Sequence, residues 1–145
     1  MFSGPDIAND TYGSAPSRIY DDLKDTEEIR SIIMDNPKRL VDHLVLSQEP
    51  SKVKTALVVG PLIYGTGHGP VNTSSIQIPY MARNILKMGH GFQVGAGQSV
   101  WSNVHIHDLG YFFSLLLQAA AGQKQECWNH DGVYSVERGR LVSLL

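Results

Sequence analysis

Cysteine occurs once, at Cys127, which excludes an internal disulfide framework, and no His or Cys at zinc-site spacing accompanies it. That usage fits a reducing compartment. Charge is scarce and nearly balanced, with 12 Lys and Arg against 14 Asp and Glu in 145 residues and a formal charge of −2. A chain so weakly charged has no electrostatic case for nucleic acid or an anionic membrane surface. The N-terminus lacks a basic stretch followed by an apolar core, and the longest apolar run, around Phe112–Leu117, is far too short for a membrane span. A cytoplasmic protein is expected, with no membrane and no nucleic-acid partner. Glycine is present, yet no G-x-x-G-x-x-G turn follows a strand, so no groove for a dinucleotide pyrophosphate is encoded. The length suits one domain with a real core.

What is present is organised around Lys54–Gly67, KTALVVGPLIYGTG. Ala56, Leu57, Val58 and Val59 form an apolar run broken at Gly60-Pro61, which reads as a parallel strand over 55–59 buried on both faces. Pro61 lacks a backbone donor, so ladder pairing is predicted to stop there and the chain to leave at the carboxyl edge, where open α/β sheets bind ligands. The glycines from Gly60 to Gly69 punctuate a loop. It is not a phosphate loop, having no following Lys-Ser/Thr. Val71–Gln77 then offers a dense set of amides and hydroxyls, read either as a surface that orients a polar small molecule or as a capped lead into the next helix, with Thr73 or Ser74 as the cap.

Elsewhere the patterning is simpler. Residues 1–18 read as a loop or arm. From Tyr20 to Ile33 five carboxylates open a solvated helix with Thr26 as a cap candidate, and without an accompanying His they propose no metal site. In 38–47, Leu40, Val41, Leu44 and Val45 give the apolar face of a helix packed on the sheet. Ile78, Met81, Ile85 and Met88 form a second core-facing stripe, ended by Gly89. Phe92-Gln93-Val94 reads as a short strand and 99–106 as another, in which His105 and His107 alternate to opposite faces and so cannot share a metal. Asp108 is predicted to cap a helix over 109–121 with Leu109, Phe112, Phe113, Leu116 and Leu117 inward, and 133–136 to form an edge strand.

Two segments resemble one family. A buried strand followed by P-x-x-Y-G at 61–65, and Val94-Gly95-Ala96-Gly97 followed by W-S-N-V-H-I-H-D-L at 101–109, are similar to segments of extended short-chain dehydrogenase/reductases of the epimerase/dehydratase type, in an atypical form common in fungi. The resemblance implies an α/β fold, a partial Rossmann-like parallel sheet with the small substrate-side subdomain. It divides the chain into an arm over 1–18, the last part of the Rossmann-like half over 19–67 and the substrate-side part over 68–145. It implies hydride transfer between NAD or NADP and a small carbonyl or alcohol, within a reduction, epimerisation or dehydration.

By the same resemblance Ser3 polarises the substrate carbonyl, unless it is a plain loop serine, and Lys38 sits near the cofactor ribose, unless it is a surface lysine. Gly60, Pro61, Leu62 and Ile63 lie against the nicotinamide through their backbone. Tyr64, Asn72, Ser75, Gln77, Trp101 and His105 line substrate. The chain departs from the family where it matters for chemistry, because Met34 stands at the position of the catalytic tyrosine on the helix that carries Y-x-x-x-K, and a thioether cannot transfer a proton. Tyr12 or Tyr20 could substitute only if the arm folded back. With the glycine-rich half absent, the expectation is a truncated reductase, inactive alone. The alternative is a non-catalytic binding or interaction module, associating with itself through an exposed sheet edge.

Overall fold

The computed structural model describes residues 13–16, 18–21, 23–122 and 128–142. The architecture is α/β with short, mainly parallel sheets, consistent with a partial Rossmann-like fold. The chain divides into two interleaved units, one holding 60–113 with the segments at either terminus, the other holding 18–59 and 114–136.

In the second of these units, helix α1 (Thr26–Met34) buries Ile29 and Ile33, one turn apart, while Glu27 and Glu28 complement the positive end of its dipole. Asp25, and not Thr26, occupies the cap position, without a side-chain bond to the helix. The helix stops before Asn36-Pro37, since proline disfavours helical backbone in the residue before it. Helix α2 (Leu40–Leu46) is tied back by His43, whose Nε2 donates to the Ile33 carbonyl at 2.8 Å. The expected helix over 38–47 therefore exists, but most of its predicted apolar face is uncovered: Leu40, Val41 and Leu44 are 70%, 73% and 63% exposed, Val45 is half-buried, and Leu46 is the buried residue.

Strand β1 (Leu57–Val59) pairs in parallel with β4 (Val133–Ser135), Leu57 opposite Val133. The strand predicted over 55–59 is thus real and parallel, but it is half-buried and has one partner among the described residues, not the interior position expected. A 3-10 turn, Asn129–Asp131, leads into β4 and fixes this corner. Asn129, 1% exposed, donates from Nδ2 to the carbonyls of Gln48 and Val53, both at 2.9 Å. The adjoining buried Arg30 donates to Glu27 at 2.8 Å, to Asp131 at 3.2 Å and to His130 Nε2 at 2.8 Å. A guanidinium only donates, so that imidazole nitrogen accepts, and the proton on Nδ1 faces Asp131 at 3.0 Å.

The other unit is built on strand β2 (Leu62–Tyr64), helix α3 (Gln77–Met88) and strand β3 (Val100–His105), a β-α-β connection whose strands are parallel with Tyr64 opposite His105. Residues 62–64, expected as loop, are a strand because the chain resumes pairing directly after Pro61. Strand β5 (Gly139–Val142) closes the sheet antiparallel to β3, an element the sequence reading did not propose. On β3 the alternation is clear, with Ser102 and Val104 buried. Ser102 Oγ donates to the Glu137 carboxylate.

Helix α3 ends where expected, at a left-handed Gly89 with φ of 76°. Its start is capped by neither Thr73 nor Ser74; Ile76 precedes it without a side-chain cap, and its predicted core stripe is not buried. Residues 92–94 are loop, not strand, held by turns at Gly95 and Gly97.

Helix α4 (Ile106–Ala121) begins three residues before the predicted start, so Asp108 lies in its first turn and pairs with Arg138 at 3.4 Å in place of capping. Of its predicted stripe only Leu109 is buried. Among the described residues no helix is long and apolar enough to cross a membrane.

Candidate functional site

At the carboxyl end of β2 the chain turns through Gly65 and runs as loop to α3. This loop bends back on itself, the Gly67 N–H donating to the Thr73 carbonyl at 2.8 Å. The result is an open cleft of about 420 Å³ lined by Pro61, Ile63, Gly65, Gly67, the run Asn72–Gln77, and Ile106. Its apolar wall comes from Pro61, Ile63, Ile76 and Ile106, its polar wall from amides and hydroxyls. Such a mixture, with few polar groups set against apolar surface, is how small-molecule sites gain both contact area and orientation.

Beside the cleft four rings form a continuous row. Tyr64 meets His105 edge-on at 5.2 Å, His105 meets His107 edge-on at 4.8 Å, and His107 stacks on His68 at 5.2 Å. His107 starts no second strand register; it lies in the first turn of α4, which brings the two imidazoles together where strand alternation would have parted them. The His107 N–H donates to His105 Nδ1 at 3.2 Å, so the neutral His105 ring carries its proton on Nε2. That nitrogen lies where a side chain at residue 65 would be, 2.4 Å from an ideal Cβ on Gly65, whose φ is +99°. Glycine is required here on both counts. Among the described residues, no cluster of three His, Cys, Asp or Glu side chains is arranged to hold a metal ion.

The structure distributes the sequence-predicted site residues unevenly. Asn72, Ser75 and Gln77 line the cleft together, joined by Pro61 and Ile63, which the resemblance had assigned to cofactor. Gly60, Leu62, Tyr64, Trp101 and His105 are not among the lining residues; Leu62 is paired in the ladder and Trp101 is half-exposed on β3. Ser3 lies outside the described residues. Lys38 sits in the turn between α1 and α2, exposed, its N–H bonded to Asn36 Oδ1 at 3.0 Å. Met34 and Lys38 therefore do not share one helix as the Y-x-x-x-K spacing requires, because Pro37 ends α1 between them. Sequence reading missed Gly65, Gly67 and Ile106; the signal available for Gly65 was its place directly after a strand tyrosine.

Among the described residues no glycine turn leads from a strand straight into a helix, and around Gly60 an added Cβ would meet nothing within 4 Å.

Compared with known proteins, the chain is 30% identical over 148 aligned residues to Oxidase ucsJ of an Acremonium species, a match that covers 94% of this chain and 42% of that protein. The chain thus spans about two-fifths of the length of this curated relative. No protein-family model matches it, and neither does any solved structure.

Proposed function

We propose that the chain supplies the substrate-holding part of an oxidoreductase of the extended short-chain dehydrogenase/reductase kind, acting with NAD or NADP on a small carbonyl or alcohol. The observation that carries this reading is the cleft at the carboxyl end of β2, walled by Ile63 and Ile106 and faced by Asn72, Ser75 and Gln77. The similarity to a protein named an oxidase supports the oxidoreductase class. Ser3 as the polarising group and Lys38 as a positioning cation are carried by the resemblance alone. In this division of labour the dinucleotide is gripped by residues other than those described, and the 145-residue chain by itself does not turn over NAD(P)H.

The test is a pair of titrations on the purified chain. Reduced nicotinamide fluorescence is followed with NADH and with NADPH, and amide shifts are followed with a small carbonyl compound. Carbonyl-induced shifts confined to 61–77 and 106, without saturable nicotinamide binding, are expected. Saturable binding of either nucleotide, or carbonyl shifts away from the cleft, refutes the division.

A second reading, a non-catalytic module that associates through its apolar surfaces, is favoured by the exposed Leu40, Val41 and Leu44 of α2. Sedimentation distinguishes them: a monomer at micromolar concentration removes the second.

A further inference from the structure

The polar side of the cleft is built entirely from dipoles. Asn72 and Gln77 contribute amides and Ser75 a hydroxyl, and among the described residues no lining side chain carries a formal charge. We infer that the cleft is a subsite for an uncharged molecule bearing a carbonyl or hydroxyl oxygen beside an apolar group, with Asn72 and Gln77 setting the specificity. This rests on the reading of the cleft as a substrate site given above.

Desolvation separates charged from uncharged ligands here. A carboxylate or phosphate entering the cleft gives up part of its hydration and meets no charged lining side chain, and amides and hydroxyls replace that hydration only in part. A ketone or alcohol oxygen gives up far less and recovers it from the same donors. Its hydrocarbon part covers Ile63 and Ile106, gaining what an ion leaves unused.

One feature of the cleft pulls the other way. Helix α3, 12 residues long, starts at its rim without a side-chain cap, and the amides of a first turn attract negative charge. That attraction is screened in an open cleft and acts within one turn only. A carbonyl oxygen, with its partial negative charge, uses the same amides without losing an ion's hydration. The neutral ligand therefore wins.

The probes are 2-hydroxyacetophenone and mandelate, which share a phenyl ring and a hydroxyl but differ in charge, titrated into the full chain and followed by amide shifts. Saturating shifts at Asn72, Ser75 and Gln77 with the hydroxyketone, and affinity for mandelate weaker by about tenfold or more, are expected. Gln77 is exposed in the first turn of α3, so Gln77→Lys leaves the fold intact, and it is expected to narrow or reverse the preference by supplying the missing countercharge. Equal or tighter mandelate binding by the native chain overturns the inference while leaving the cleft a binding site. Failure of both probes to shift these residues overturns the substrate-site reading itself, and the inference with it.

Discussion

Replacing Gly65 by alanine tests the local geometry on which both the cleft and the row of rings depend. At φ of +99° an L-residue is strained, at a cost of about 1–3 kcal/mol. The new methyl would stand 2.4 Å from His105 Nε2 and 2.8 Å from Cδ2, so the imidazole must leave its position. It then loses the bond from the His107 N–H, worth about 0.5–1.5 kcal/mol. It also loses the edge contact with Tyr64, worth about as much again. The sum is about 2–6 kcal/mol, read as a drop in the urea midpoint at unchanged slope. A double-mutant cycle separates the two causes. In a His105→Ala background the steric part has no target, and Gly65→Ala is expected to cost only its backbone strain, about 1–3 kcal/mol. A cost below about 0.5 kcal/mol in the native background, or the same cost in both, refutes the account.

Three further outcomes are expected. Asn129→Ala removes the buried donor of two backbone carbonyls, those of Gln48 and Val53, and places alanine at φ of 57°, so unfolding studies should show a loss of about 2–4 kcal/mol, with Asn129→Asp no milder because a carboxylate cannot donate. The Asp25 carboxyl is held below its ordinary value of 3.8, first by the Asp21 N–H that donates to it and then by the Arg18 guanidinium. A depressed folded value means that its contribution is present above the ordinary value and lost as pH falls through the folded one; thermal melts between pH 5 and 2 should therefore decline less steeply in Asp25→Asn. Met34→Tyr should not generate reductase activity, since Pro37 separates position 34 from Lys38 and a tyrosine there lies outside the helical spacing its chemistry needs; NADPH-dependent reduction of a carbonyl panel by this variant alone would reverse that conclusion.

Elements whose signals are local were legible along the chain. The apolar run ending at Gly60-Pro61 specified a parallel strand, Gly89 specified a helix end, and the polar run Asn72–Gln77 identified half of the cleft, because turn chemistry and composition act over a few residues. What those elements face depends on packing between distant segments. Helical periodicity in α2, α3 and α4 announced apolar stripes, but a stripe is buried only if another element covers it, and among the described residues Leu40, Val41, Leu44, Ile78 and Met88 are left exposed. Register decided the rest. Pairing of Tyr64 with His105, and a start of α4 at Ile106, placed His107 against His68 where alternation along a strand would have turned it away. Strand β5 and the donors of Asn129 likewise depend on partners dozens of residues distant, whose separation in the chain carries no local signal of their meeting.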